Sequence, residues 1–280
     1  MRVSGFTLIR NAIKYDFPIL ESMASLLPLV DEYVVNVGQS EDETLDLIRS
    51  IGSPKIKIVE TVWDDSLKTD GKLFGIQQDV ALSQCTGDWA VCLQADEVIH
   101  EDDLPVIRSA MQEYLPQQDV QALVLRVLHF KGDYWSVDPW MYHRATRIVR
   151  PNGRVRSAID GFDFEVEGLP GVIKNSPSVG PRIPATVYHY GYARRPEALK
   201  EKRRYQIRRH EGDRLTEERI DAWAEEDAQF PDYGILKNFR GRHPKVMQDR
   251  ISAATRLKPW RNRWLNPSFY RRVLKQGFRG

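Results

Sequence analysis

The 280-residue sequence predicts an α/β protein built on an open, Rossmann-like mixed sheet with flanking helices. Strand-like apolar runs alternate with helix-period segments through the first hundred residues. The run Trp89-Ala90-Val91-Cys92-Leu93 is apolar throughout, as in a central parallel strand covered on both faces. Hydrophobic residues make up 41% and charged residues 29%, ordinary values for a soluble chain long enough to bury a core.

The elements follow in order. Residues 2–10 read as a strand, followed by a helix over about 16–27 with Pro18 tolerable in its first turn. Residues 33–37 form a short apolar strand that leads through a polar loop to a helix over 43–51. Residues 55–60 alternate basic and apolar side chains like an exposed or edge strand. A loop with Asp64, Asp65 and Gly71 precedes a helix over about 72–84, and the run 89–93 comes next. Such an order places ligands at the carboxyl ends of the strands.

Beyond residue 98 the pattern changes. A helix over 101–114 is followed by an apolar strand over 122–130 and a loop carrying Tyr134, Trp135, Trp140 and Tyr142. A second strand lies around 147–150, and residues 151–185, rich in Gly and Pro, read as hairpins and loops. Residues 186–190 form a last short strand, and charged helical sequence runs over about 196–226. No repeat occurs at solenoid or propeller spacing.

The net charge of +2 argues against a polyelectrolyte binder. Cys85 and Cys92 match no common zinc or redox spacing and read as reduced, small hydrophobes of a cytosolic protein. The first residues open directly on a strand pattern without signal-peptide architecture, and no run reaches the ~18 apolar residues of a membrane span. The expected location is the cytoplasm.

The chemistry centres on Leu93-Gln94-Ala95-Asp96-Glu97-Val98, where two adjacent acids directly follow the buried strand. Burying carboxylates without a partner costs several kcal/mol. A divalent cation such as Mg²⁺ or Mn²⁺ is a natural partner; solvated acids capping the next helix are the plainer reading.

Residues 71–97 carry Ala81-Leu82, Thr86-Gly87-Asp88-Trp89 and Gln94-Ala95-Asp96-Glu97. Together with Phe6-Thr7-Leu8-Ile9-Arg10-Asn11 and Val37-Gly38-Gln39-Ser40-Glu41-Asp42-Glu43-Thr44, they resemble family-2-type glycosyltransferases of the GT-A fold. The likeness covers residues 3–100 well and 101–195 loosely. It implies an inverting, divalent-metal-dependent transferase of bacterial type that moves a sugar, hexosyl or related, from a nucleotide donor to an acceptor hydroxyl. By this resemblance Asp96, Glu97 and His189 are the metal ligands. Donor contacts fall to Thr7, Arg10, Asn11, Ser40, Asp42, Asp65, Lys72, Gln94 and Ala95. Residues 1–100 become the nucleotide-sugar half, 101–195 the acceptor side of the same domain, and 196–280 a helical, basic C-terminal extension.

Two positions depart from the family pattern. Gln94 stands where the first motif acid is usual, and Gly38 where an Asp normally reads the base. His189, in Tyr188-His189-Tyr190-Gly191-Tyr192, matches a late-chain metal ligand of the family; a structural histidine is the plainer reading. Arg194 and Arg195 suit a pyrophosphate or the exposed start of a helix. Gly71-Lys72 offers a weak phosphate signal at a helix N-terminus.

Inversion needs a general base. Asp160 and Asp163 are the candidates, with Glu165 beside them, and Asp160 is favoured by its position next to Gly161. An exposed acidic hairpin is the plainer reading. The aromatics of 134–142 suit a stacked acceptor sugar or simple core filling. Residues 255–280 hold eight Lys or Arg and no acid, interleaved with aromatics. Asn266-Pro267 can start a short helix there. The order of expectation for this tail is packing back, then contact with an anionic membrane surface carrying a lipid-linked acceptor, with nucleic acid last. Two competing functions are a GT-A-like glycan- or partner-binding protein that has lost activity, favoured by Gln94 and Gly38, and a sugar nucleotidyltransferase. The latter would need a Gly-rich basic loop after the first strand.

Overall fold

The computed structural model describes residues 1–67, 69–228, 235–256 and 267–276. Four parallel strands form its first half: β1 (Val3–Ile9), β2 (Glu32–Gly38), β3 (Ile56–Thr61) and β4 (Trp89–Cys92). Their spatial order is β3-β2-β1-β4, so β3 is the edge and only partly buried. All four residues of β4 are buried. Helices α1 (Ile19–Leu26), α2 (Thr44–Arg49) and α3 (Lys72–Leu82) connect these strands.

Side-chain alternation splits the core across the sheet. Val35 and Val91 join Met23 and Leu26 of α1 on one face, with Met111 of α4 (Leu104–Tyr114). Val34, Ala90 and Cys92 join Leu82 of α3 on the other, with Phe164. The expected open mixed α/β sheet with flanking helices is the observed one.

The sheet turns antiparallel beyond β4. β8 (Arg144–Val149) pairs with β4 and with β6 (Ala122–Lys131), while β11 (Arg182–Tyr192) runs parallel to β6. β11 spans eleven residues rather than the five predicted. Pro184 lacks an N–H, and the β6–β11 register shifts between Arg182 and Thr186, which hides the start of the strand from a pattern search. Smaller strands complete the set: β5 (Glu97–Ile99), β7 (Ser136–Val137), β9 (Val155–Ser157), β10 (Phe164–Val166) and β12 (Lys237–Asn238). Further helices among the described residues are α5 (Pro196–Glu211), α6 (Glu217–Ala228), α7 (Gln248–Ser252) and α8 (Pro267–Gln276).

β5 was not expected. The two acids do not lead straight into a helix; Glu97 begins a short strand that pairs antiparallel with β11, placing Glu97 opposite His189. His100 then caps the following turn, its Nδ1 accepting from the Asp102 amide at 3.1 Å. Glu97 is wholly buried and bound by Arg147 of β8 through Nε at 2.7 Å and Nη2 at 2.8 Å. The remaining Arg147 donor serves the carbonyls of Thr146 and Phe162.

Both cysteines are free and buried. Of the aromatic loop, Tyr134 packs with Phe130 and Tyr190, and Trp140 packs against Phe269 of α8. Residues 257–266 and 277–280 of the basic tail, including Asn266, lie outside the described residues. Among the described residues no helix is long and apolar enough to cross a membrane.

Arg147→Met strands a buried carboxylate and should destabilise the fold by about 3–5 kcal/mol, measured by urea unfolding. Adding Glu97→Leu should recover most of that loss. Equal instability of the double variant would show that the pair does not act as a unit.

Candidate functional site

A cavity of about 240 Å³ opens at the carboxyl ends of β1 and β4. Leu8, Ile9 and Arg10 come from the end of β1, and Gln94, Ala95 and Asp96 from the segment after β4. Asp160 and Phe162 form one wall, and Tyr142 and His189 line it from β8's approach and β11. Trp63, Phe74, Tyr205 and Lys202 complete the lining. Lys202 and Tyr205 belong to α5, so the helix after residue 195 builds part of the same cavity.

Asp96 is the electrostatic centre. Its Oδ2 accepts from Lys202 Nζ at 2.7 Å and from Arg194 Nη2 at 3.1 Å, and all three side chains are buried. Its backbone carbonyl accepts from the Tyr190 amide at 2.8 Å, which ties the segment to β11. Gly191 leaves the room in which His189 and Asp96 come together. A Cβ there would lie 2.6 Å from His189 Nε2 and 3.0 Å from Asp96 Oδ2. Phe17 lies beneath both cations, 4.7 Å from Arg194 and 5.2 Å from Lys202.

Burial alone would raise the Asp96 carboxyl, but the charges of Lys202 and Arg194 outweigh it and hold it well below the usual range. Burial pushes the Lys202 ammonium down to about 8; the Arg194 charge adds to that, and Asp96 only partly offsets it. Nearby acids are taken up elsewhere: Glu97 by Arg147, and Asp16 by Arg250 at 2.7 Å. Two cations on one carboxylate thus leave a buried surplus of positive charge, of which Lys202 lines the cavity while Arg194 is sealed against Asp96 and the Tyr15 carbonyl.

His189 has a fixed tautomer. His129 Nε2 lies 2.8 Å from the Tyr142 carbonyl, which can only accept, so that nitrogen carries the proton. His129 Nδ1 then accepts from His189 Nδ1–H at 2.9 Å. Burial pushes both imidazoles down, His129 to about 4, which keeps them neutral. The Nε2 lone pair of His189 faces Asp96 Oδ1 at 3.7 Å.

The structure brings together Arg10, Gln94, Ala95, Asp96, Asp160 and His189 of the expected site. A second recess shares Arg10 with it and adds Asn11 and Asp65. There Asp65 is bound by Arg10 at 2.8 Å and by Arg209. Asn11, at a left-handed φ of 57°, ties β1 to the β2 loop through the Ser40 hydroxyl and the Glu41 amide.

The other expected residues do not line either space. Thr7 is wholly buried inside β1 and does not line the cavity. Asp42 accepts from the Lys14 and Thr44 amides and so braces the start of α2. Lys72 is exposed, and the helix end beside it is already closed, because Gly71 N donates to the Arg209 carbonyl at 3.1 Å. Asp163 is buried against Lys174 at 3.1 Å, and its Oδ1 caps the Phe164 amide. Of the two arginines weighed together, Arg194 enters the site while Arg195 stays exposed beside Asp16.

Gly38 has a steric cause. A Cβ there would come within 2.6 Å of the Trp63 indole, which covers the end of β2. Trp63 donates to Thr61 Oγ1 at 3.1 Å, and Arg10 sits 5.8 Å from its ring.

No family model matches the chain. A TPR repeat-containing protein of Synechococcus elongatus is 26% identical over 176 residues, 61% of this chain and 38% of that protein. The chain therefore spans well under half the length of the curated relative it matches. Among solved structures, S. aureus TarS is similar with a TM-score of 0.44 at 17% identity, over 79% of this chain and 42% of that one. S. aureus TarS 1-349 in complex with UDP-GlcNAc gives 0.44 at 16% identity, over 90% and 78%. Glucosyl-3-phosphoglycerate synthase from Mycobacterium tuberculosis, in complex with Mn²⁺, UDP and phosphoglyceric acid, gives 0.32 at 20% identity, over 47% and 44%.

The divalent cation implied by the sequence resemblance fits this donor set poorly. Glu97 is sealed by Arg147, and Gln94, its Nε2 donating to the Gly161 carbonyl at 3.2 Å, offers only a neutral amide oxygen. Asp96 already carries two cations, leaving its Oδ1, the lone pair of His189 and the neutral Gln94 oxygen as the remaining ligand atoms. A hard divalent ion seeks six or more oxygen-rich ligands without cations beside them. Among the described residues, three ligand-type side chains converge at His100, Glu101 and Asp102. Glu101 there accepts from the Lys245 amide, and Asp102 pairs with Arg242.

Gly38→Ala should displace the Trp63 indole, shifting tryptophan emission and weakening ligand binding at the cavity. Unchanged emission and binding would mean the indole accommodates the methyl group. A second test uses pH. Below pH 8 Lys202 is charged in both folded and unfolded chains, and its burial cost is fully present. Between 8 and 10.5 the folded chain releases its proton first, so stability gains about 1.4 kcal/mol per pH unit from this group. Wild-type stability relative to Lys202→Met should rise across that window; a flat difference would contradict the assignment.

Proposed function

We propose that this protein is a glycosyltransferase that moves a sugar from a nucleotide donor to an acceptor hydroxyl with inversion at the anomeric carbon. The observation that carries the reading is the buried surplus of positive charge on Asp96, opening into a cavity with aromatic walls. A diphosphate answers the first feature, and a base or sugar ring the second.

Lys202, which lines the cavity, receives the charge that develops on the leaving diphosphate, with the Arg194 charge adding to the field from beyond the lining. Trp63, Phe74 and Tyr205 offer faces for the nucleoside, and Tyr142 and Phe162, 4.3 Å apart, offer an edge for the acceptor ring. Asp160 sits beside them, its Oδ1 held by the Phe162 amide at 3.0 Å. As general base it takes the acceptor hydroxyl's proton, and the freed oxygen attacks the anomeric carbon opposite the departing diphosphate. Residues 1–100 supply most of the donor side, 101–195 the acceptor side, and 196–280 adds α5. The acceptor is a glycan, free or lipid-linked, met in the cytoplasm. Tyr270 and Leu274, both exposed on α8, suit contact with a membrane surface.

Screening UDP-, GDP-, dTDP- and CMP-sugars for hydrolysis or transfer tests the reading. Asp160→Asn should lower kcat by about 100-fold or more with little change in donor KM. Donor binding without any turnover would instead favour a glycan- or partner-binding protein, in which Gln94 marks lost activity.

A further inference from the structure

We propose that Lys202, backed by Arg194, stands in for the divalent cation implied by the sequence, so that the protein binds a nucleoside diphosphate without metal. The inference rests on the nucleotide-donor reading above. Both cations converge on Oδ2 of Asp96, at 2.7 and 3.1 Å. One carboxylate cannot balance two buried cations, and Asp16 and Glu97 are bound to other arginines. The arrangement lacks an anion, whereas a metal centre lacks a cation.

The geometry keeps the ammonium in place. Lys202 Nζ also donates to the Gly191 carbonyl at 3.2 Å, and the rings of Phe17 and Tyr192 flank it at 5.2 and 5.7 Å. Arg194 is anchored by the Tyr15 carbonyl. Asp96 therefore acts as a positioning residue that holds Lys202, the phosphate donor, at the cavity, while Arg194 lies sealed against the same carboxylate. In a metal-dependent site the same carboxylate would be a ligand. Gln94 fits this assignment, because a second acid there would cancel the surplus the diphosphate needs. A neutral amide, spent on the loop that carries Asp160, leaves it intact.

Calorimetric titration of the full chain with UDP and with GDP, in EDTA and again in excess Mn²⁺, decides the matter. Binding in EDTA, with an affinity that Mn²⁺ changes by less than about threefold, is the expected result. Lys202→Met should weaken that binding by roughly 10- to 100-fold, the loss of one charge-assisted hydrogen bond, and Lys202→Arg should restore most of it. The melting temperature of each variant without nucleotide separates lost binding from lost folding, and Lys202→Gln serves if the methionine variant is unstable. Binding that needs Mn²⁺ would place a cation between Asp96 Oδ1 and His189 Nε2. That result overturns this inference and leaves the transferase reading standing. Wild-type affinity in both Lys202→Met and Lys202→Gln also overturns it. If neither nucleotide binds in either buffer, this inference falls, and the transferase reading falls with it if the donor screen also shows no turnover.

Discussion

The buried pair between Glu97 and Arg147 is the contact on which the site depends. It closes a wholly buried carboxylate with two short hydrogen bonds and joins β5 to β8. β5 in turn holds β11 in register, with His189 opposite Glu97. The pair spends Glu97 on architecture, which leaves its neighbour Asp96 as the acid that faces the cavity. Adjacent residues point to opposite sides of an extended chain, so one of the two had to be satisfied inside the protein. An arginine fork is the side chain that does this with the fewest unpaired donors.

A second consequence concerns residues far apart in sequence. The β5–β11 pairing brings the end of β11 beside Asp96, and the chain then turns directly into α5. Arg194 precedes that helix and Lys202 lies two turns into it, so both reach the same carboxylate oxygen from one continuous segment. The aromatic ring of Phe17 supports them from the loop before α1. Three segments separated by about a hundred residues thus set one charge balance.

The parallel half of the fold was legible because its signals are local. Continuous apolar runs mark buried strands, and β4, flanked on both faces, is the clearest case. β5 was not legible: three residues carry no period, and what makes Glu97-Val98-Ile99 a strand is the partner ninety residues later. β11 was read short because Pro184 interrupts its pattern. In the site, Asp96, His189 and Asp160 were visible as chemistry-bearing residues beside strand ends. Lys202 was not, since it lies among Lys and Arg of a charged helix and only its burial distinguishes it. Trp63 could have been found: Gly38, the missing acid, is the trace that a bulky ring leaves on the strand it covers.

Gln94 and Gly38 look at first like signs of decay, because both replace acids of the resembled pattern. Their surroundings argue otherwise. Gly38 yields its space to an indole that lines the cavity, and Gln94 secures the Gly161 carbonyl beside Asp160. Each substitution is matched by a specific neighbour, whereas loss of selection leaves unmatched polar groups and voids. A neutral amide at position 94 and the buried cations Lys202 and Arg194 act in one electrostatic direction, both favouring an anion over a cation beside Asp96. A site that had merely lost its metal would have no reason to bear the desolvation cost of two buried cations.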